Sequence, residues 1–224
     1  HGGMKLEELY EKKVICKVCN EEFVTSKVRI SKLRLVKKDS DFLAYYEGEN
    51  PVKYGVFVCP HCGYAAMESK FNNISFRGKE TILKEIASRW NKREFSGKRS
   101  NEEAIEAYKL ALYCGELLNY KKLDMANICL RIGWLYRIVG SQEEKKFLNL
   151  ALGLYKEAYL NESLNESSMD EITLGYLIGE LSRRLNNKEE ALKWFNTVLS
   201  NPKTKNNAAL EGMVREQWMN IREG

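Results

Sequence analysis

The sequence FVCPHCGYAA, at residues 57–66, decides how the N-terminal part of this chain folds. Its two cysteines are separated by two residues, a spacing found in the reactive dithiol of disulfide oxidoreductases and in one half of a metal site. A second pair with the same spacing lies upstream in VICKVCNEEF, at residues 14–23. The four cysteines are Cys16, Cys19, Cys59 and Cys62.

Two such pairs favour a metal site over redox chemistry. Four thiolates at ~2.3 Å complete a closed tetrahedral zinc site, with no open position for water or substrate. Asn20 and Gly63 follow the second cysteine of each pair, and these residue types adopt positive φ most readily. A redox dithiol needs a surrounding βαβ pattern, which the sequence lacks. We therefore predict one structural Zn²⁺ per chain, held by all four cysteines, with His61 pointing outward from its turn.

The segment between the two cysteine pairs contains an insertion. It spans residues 20–58, whereas a compact zinc ribbon has about 15–20 residues there. FVTSKVRISKLRLVKK, at residues 23–38, alternates aliphatic and polar residues and predicts short strands. Its cations are not accompanied by acids, so one interpretation is a nucleic-acid-binding strip, and the other is pairing with the acidic loop that follows. The nucleic-acid interpretation assigns phosphate contacts to Lys32, Arg34, Lys37 and Lys38.

The rest of the chain predicts helices. A basic helix over residues 76–99 is expected to connect the cysteine-rich part to a helical domain, and it would also serve the nucleic-acid interpretation. Ser100, Ser141, Ser168 and Asn187 each stand three residues before a glutamate, the spacing of a capping box. No strand pattern intervenes. The predicted helices cover residues 101–118, 122–139, 142–162, 169–185, 188–199 and 206–222.

Two segments of the helical part resemble tetratricopeptide repeats (TPRs). LIGELSRRLNNKEEALKWFNTVLSNP, at residues 177–202, places Gly179 where the two helices of a repeat cross and Ala191 opposite it. ICLRIGWLYRIVG, at residues 128–140, repeats the first-helix half with Gly133. First helices usually line the concave groove of such arrays. The residues predicted to bind a partner there are Arg131, Tyr136, Arg137, Arg183 and Arg184. Their positive charge favours an acidic protein or peptide segment.

No catalytic constellation is visible in the sequence. His1 and His61 are the only histidines, which excludes a His-based triad or a two-histidine metal centre. Nucleophile-elbow, dinucleotide-binding and phosphate-loop glycine motifs are missing as well. The sequence therefore predicts a non-enzymatic protein. It has no apolar run long enough to span a membrane and no export leader, so we expect a cytoplasmic location with reduced cysteines.

Several segments together resemble a known family. They are CKVC at residues 16–19, YYEGENPVKYGVFVCPHCGYAA at 45–66, LRIGWLYR at 130–137 and MDEITLGYLIGEL at 169–181. The family is an uncharacterised group of bacterial cytoplasmic proteins, described only as a domain of unknown function, and the resemblance spans nearly all of residues 10–222. It implies an N-terminal zinc-ribbon module followed by TPR-like helices, and its cysteine motif matches the four cysteines here as metal ligands. It implies no activity.

The sequence thus predicts a mainly α fold, with a small zinc-ribbon-like β module followed by a TPR-like antiparallel helical array. The predicted division is a module with an inserted β segment at 4–75, a connecting helix at 76–99 and a helical domain at 100–224. The predicted function is a zinc-binding adaptor that binds a protein or peptide partner through its helical groove. The alternative is a nucleic-acid-binding zinc-ribbon protein, and no membrane partner is expected.

Overall fold

The computed structural model describes residues 7–224, so residues 4–6 of the predicted first module lie outside the described residues. Packing divides the chain into two compact units. The first unit extends to Lys38 and includes Ala44–Tyr120 and Trp134–Ser141. The second unit contains Asp39–Leu43, Lys121–Gly133 and Gln142–Gly224.

The strands of the first unit form three antiparallel pairs, which confirms the predicted small β module. The strands are β1 (Leu9–Ile15), β2 (Glu22–Val28), β3 (Leu35–Lys38), β4 (Ala44–Tyr46), β5 (Val56–Val58) and β6 (Ala65–Met67). β1 pairs with β2, β3 with β4, and β5 with β6. The first cysteine pair lies in the turn between β1 and β2, and the second lies in the turn between β5 and β6. Two hairpins therefore each present one C-x2-C turn.

Helices make up most of the chain, as predicted. They are α1 (Glu68–Phe71), α2 (Phe76–Glu85), α3 (Asn101–Leu117), α4 (Lys122–Ile138), α5 (Glu143–Asn161), α6 (Glu171–Arg184), α7 (Lys188–Ser200) and α8 (Ala208–Glu223). The ends of α3 to α8 differ from the predicted ends by no more than two residues. The mainly α fold class is confirmed.

The predicted connecting helix over 76–99 is shorter than expected. α2 ends at Glu85, a 3-10 turn covers Ala87–Arg89, and the chain has no helix from Trp90 until α3 begins. The backbone N–H of Arg93 donates to the carbonyl oxygen of Pro60 at 3.3 Å, a contact that a helix continuing through this segment would not make. Long-range hydrogen bonding therefore overrides the local helical pattern.

Two of the four predicted helix caps, Ser100 and Asn187, are confirmed, and one, Ser168, is wrong. Ser100 and Asn187 accept from the backbone N–H three residues later, and Ser100 forms the full capping box. The Ser141 cap stays a prediction: Gln142, just before α5, already has helical φ and ψ, and the N–H of Ser141 donates to the carbonyl of Tyr136 at the end of α4 at 2.9 Å. α6 is capped by Asp170 instead of Ser168, since the aspartate oxygen accepts from a first-turn N–H.

An aromatic cluster forms the core beside the cysteine turns in the first unit. Phe71 contacts the rings of Phe23, Phe57 and Tyr64, with centroids 4.8 to 5.8 Å apart. The Tyr64 hydroxyl also donates to the Phe71 carbonyl at 3.0 Å. α3 packs against β5 and β6, so it belongs to the same compact unit as the strands. The prediction that the chain divides into independently folding parts at residues 75 and 99 stays a prediction.

The second unit is held together by close helix crossings at glycine. A Cβ at Gly133 would lie 2.9 Å from the Leu148 side chain, and one at Gly179 would lie 2.6 Å from the Phe195 ring. These contacts confirm close crossing as the reason for the two mid-helix glycines, although Gly179 meets Phe195 instead of the expected Ala191. None of the helices in the described part of the chain combines the length and apolar character needed to cross a bilayer.

Candidate metal centre

The two cysteine turns have the same backbone geometry. In each turn, the N–H of the first cysteine donates to the carbonyl five residues later, at 2.9 Å. The carbonyl of the first cysteine accepts from the N–H of Asn20 at 2.8 Å in one turn and from that of Gly63 at 2.9 Å in the other. Asn20 has φ of 64° and Gly63 has φ of 81°, so the predicted positive-φ residues close both turns. This geometry directs both sulfurs of a pair to one side.

The turns bring the four sulfurs together. The Sγ atoms of Cys16 and Cys62 are 3.7 Å apart, and those of Cys19 and Cys59 are 3.6 Å apart. All four sulfurs lie within 4.8 Å of one another. A tetrahedral ion with metal–sulfur bonds of ~2.3 Å would separate its sulfurs by about 3.8 Å. The cluster therefore has the dimensions of a four-thiolate metal site and could hold a metal ion.

The local environment favours a thiolate at Cys16 and opposes one at Cys62. Hydrogen bonds from the thiols of Cys59 and Cys62, helped by the backbone N–H groups of Val18 and Cys19, lower the pKa of Cys16 to about 4 against the burial that opposes ionisation. Hydrogen bonding with Cys16 and Cys59, together with burial, raises the pKa of Cys62. A bound cation removes that opposition, because a coordinating thiol is deprotonated. The donor set thus fits a divalent ion that binds thiolates.

Trp90 covers the second cysteine turn. Its indole N–H donates to the Pro60 carbonyl at 2.8 Å, and a Cβ at Gly63 would lie 2.5 Å from the ring. Only a glycine fits between the turn and the indole. His61 is exposed, with its Nε2 3.2 Å from the carbonyl oxygen of Glu22, and it does not belong to the cluster of ligand atoms formed by the four cysteines. The histidine is not a ligand in this arrangement.

Arg99 is a site-supporting residue that the sequence reasoning missed. Its side chain is 1% exposed, and its guanidinium donates to the carbonyls of Phe95, Lys53 and Val56 at 3.0, 3.2 and 2.8 Å. Val56 begins β5, which leads directly into Cys59. Burial lowers the pKa of Arg99, so these contacts hold a costly buried cation in place. Sequence alone offers little signal for it, because arginines are mostly exposed.

The predicted partner-binding residues are half-buried and already make contacts within the chain. Arg131 donates to the Asn127 carbonyl at 3.1 Å, and Tyr136 accepts from Lys109 at 2.8 Å. In the second unit, Arg183 pairs with the buried Glu180, and Arg184 donates to the Ser40 hydroxyl at 2.9 Å and lies 3.9 Å from the buried Asp41. Arg137 is also half-buried. Their role in binding stays a prediction.

The residues of the nucleic-acid alternative lie together on the surface. Lys32 and Arg34 are exposed and form no ion pair with residues 7–224. Lys37 and Lys38 lie on β3 and are also exposed, with the Lys37 ammonium 4.6 Å from the centre of the Tyr45 ring. The expected pairing of the basic strip with the acidic loop is not made by Lys32 or Arg34.

Comparison with known proteins places the chain in a family. An uncharacterized protein of Borreliella burgdorferi is 28% identical over 191 residues, which cover 74% of this chain and 67% of that protein. No solved structure matches the chain. A family model described as "Uncharacterized protein conserved in bacteria (DUF2225)" matches residues 9–221. The chain therefore belongs to this family of bacterial proteins.

Proposed function

We propose that this protein is a non-enzymatic, zinc-binding adaptor of the bacterial cytoplasm that binds a protein or peptide partner through TPR-like helices. The observation that carries the proposal is the closed sulfur cluster. Cys16, Cys59 and Cys62 are buried and Cys19 is half-buried. Four thiolates fill a tetrahedral coordination shell, so a metal bound there has no position for water or substrate. Such an ion stabilises a fold and does not catalyse a reaction.

Zinc suits both the ligands and the elements that carry them. Thiolate ligands select zinc, copper(I) and iron–sulfur centres, and zinc is the redox-inert ion among these that prefers tetrahedral four-thiolate sites. The hairpins of β1–β2 and β5–β6 have only two strands each, which makes them marginal in water by themselves. A shared ion would link the two hairpins and contribute its binding free energy to folding. The free cysteines of the described chain also suit a reducing compartment.

The second unit supports the adaptor proposal through its helix packing and its charge. Stacked helical hairpins with small residues at their crossings commonly present a concave surface to a peptide or protein. Gly133 and Gly179 supply such crossings here. In the same unit, the side chains of Arg183 and Arg184 are 28% and 23% exposed. Their remaining surface, together with Arg131, would suit an acidic segment.

The experiment purifies the intact chain under reducing conditions and measures its metal content and its co-purifying protein separately. We expect one equivalent of zinc, and a stoichiometric partner that Arg131→Glu loses. Lys145→Glu is the matched control, because Lys145 is an exposed cation on the neighbouring helix α5. A chain without zinc, or a partner captured equally by both variants and the wild type, would contradict the proposal.

A further inference from the structure

Exposed aliphatic side chains are concentrated just before and on β3. Ile30 is 84% exposed, Leu35 is 59% exposed and Val36 is 60% exposed. The free energy of the system falls when aliphatic side chains are removed from water. Three of them exposed within seven positions therefore favour the binding of a partner that buries them. We name Ile30, Lys32, Arg34, Leu35 and Val36 the β3 surface.

The same surface carries unneutralised positive charge. Lys32 and Arg34 alternate with the aliphatic residues and form no ion pair within residues 7–224. Two acids of the following loop are engaged elsewhere, since Glu49 pairs with Lys53 at 2.8 Å and Asp41 is buried. Glu47 is exposed near Arg34, whose carbonyl accepts from the Glu47 N–H at 2.9 Å, but it forms no ion pair with Arg34. The β3 surface therefore complements a binding partner that is both apolar and negatively charged.

β3 also offers a free backbone edge. It pairs with β4 along one edge, and no other strand among residues 7–224 pairs with it. The register shifts between Leu35 and Lys37, so Val36 is an extra residue at a bulge. An unpaired edge presents N–H and C=O groups that can accept another strand. Of the anionic macromolecules, only a polypeptide can use those backbone groups.

We propose that β3 is the docking edge for an extended polypeptide segment in which acidic and aliphatic side chains alternate. The segment adds a third strand beside β3, its aliphatic side chains cover Leu35 and Val36, and its carboxylates meet Lys32 and Arg34. Tyr45 and Tyr46 on the paired strand β4 could stack with bases, but nucleic acid has no peptide N–H and C=O groups with which to extend the sheet at the β3 edge, so it fits less well. The β3 surface belongs to the first unit, whereas Arg131, Arg183 and Arg184 belong to the second, so this proposal can fail while the proposed adaptor function stands.

The test uses a fluorescein-labelled synthetic heptapeptide of alternating glutamate and valine, titrated with the full chain in its metal-loaded form. Anisotropy should show saturable binding that weakens as salt is raised. Lys32→Glu combined with Arg34→Glu should weaken binding at least tenfold, and Leu35→Ser should weaken it about tenfold, which corresponds to ~1.4 kcal/mol. Binding should also slow hydrogen exchange of the β3 backbone amides.

Two control variants match these changes in chemistry on α2. Lys84→Glu reverses an exposed charge, and Leu83→Ser removes an exposed aliphatic side chain that is 43% exposed in the wild type. Both should bind like the wild type, and all variants should retain their metal. Absence of peptide binding, equal binding of a lysine–valine heptapeptide, or unchanged β3 exchange would overturn the proposal. The proposal would also be overturned if the chain bound phosphatidylglycerol vesicles or single-stranded DNA through Lys32 and Arg34 but did not bind the peptide.

Discussion

Replacing Arg99 with methionine should loosen the strand that leads into the second cysteine turn. The guanidinium donates to the carbonyls of Lys53 and Val56 across the start of β5, and it lies within 6.0 Å of the ring centres of Tyr54 and Phe95. Methionine can fill the space of the aliphatic stem but cannot donate to either carbonyl. Arg99→Met therefore leaves these two carbonyls, and that of Phe95, without their charged donor.

The size of the effect on β5 follows from the hydrogen bonds to Lys53 and Val56, because the third acceptor, the Phe95 carbonyl, is not at that strand. Each bond to a charged donor contributes about 1.5–3 kcal/mol, so the pair accounts for about 3–6 kcal/mol. Relief of the buried charge offsets part of this loss, since burial lowers the pKa of Arg99 and so opposes its charged form. We expect the free energy of local opening to fall by about 3 kcal/mol, which corresponds to roughly a hundredfold faster exchange.

Hydrogen–deuterium exchange measures this opening where it occurs. Amides of β5 and of the first turn of α3 should exchange about a hundredfold faster in Arg99→Met, and a chelator should remove the bound metal faster. Arg89→Met is the control, because Arg89 is exposed and should change exchange little. If Arg99→Met exchanges within threefold of the wild type, Arg99 does not support β5 and the reasoning fails.

Three further substitutions test the turn, the helix crossing and a buried carboxylate. Gly63→Ala should lower the free energy of unfolding by at least about 2 kcal/mol and weaken metal retention, because φ of 81° and the indole 2.5 Å from a Cβ both oppose a side chain. The control Gly97→Ala, at φ of 80° with open space around it, should lower the free energy of unfolding by about 1–2 kcal/mol. Gly179→Ala should cost about 1–3 kcal/mol by thermal unfolding, whereas Gly212→Ala, in open space on α8, should stabilise by up to about 1 kcal/mol. Burial raises the pKa of Glu180 above its usual 4.5, so its contribution to stability is greatest below about pH 4.5 and is lost as the pH rises through its folded pKa. In urea unfolding from about pH 4 to about pH 8, Glu180→Gln should therefore gain stability relative to the wild type as the pH rises.

Each of these substitutions has an outcome that would contradict its reasoning. Equal destabilisation by Gly63→Ala and Gly97→Ala would mean that the indole does not restrict the turn. A stabilising Gly179→Ala would show that α6 and α7 do not approach closely at that residue. A Glu180→Gln variant that loses stability relative to the wild type as the pH rises would mean that the folded protein favours the ionised carboxylate.

The metal turns could be predicted because their determinants are local. A C-x2-C spacing with Asn20 or Gly63 after its second cysteine specifies the turn within five residues of backbone. The helices from α3 onward were predictable for a similar reason, since their apolar periodicity and end signals lie within each helix. The meeting of the two cysteine pairs followed from chemistry, because four thiolates at this spacing suit one ion.

The supporting contacts could not be predicted because they join residues distant in sequence. Helical periodicity placed Trp90 in an apolar stripe, but its ring lies on a turn whose carbonyl acceptor, that of Pro60, is 30 residues away. Arg99 stands one residue before a capping serine, with no local feature that indicates burial. Ser168 matches a capping pattern, yet the neighbouring Asp170 caps α6. In each case a tertiary or neighbouring contact competes with the local pattern and wins.

The central claim is that the four cysteines hold one zinc ion, and the most direct measurement is the metal content of the purified chain. Inductively coupled plasma mass spectrometry should find one zinc per chain. Cys16→Ser and Cys59→Ser, which disrupt one pair each, should both reduce that content sharply, whereas Cys114→Ser, which changes a buried thiol on α3 outside the cluster, should not. A wild-type chain without bound metal, or a content unchanged in both ligand variants, would contradict the account.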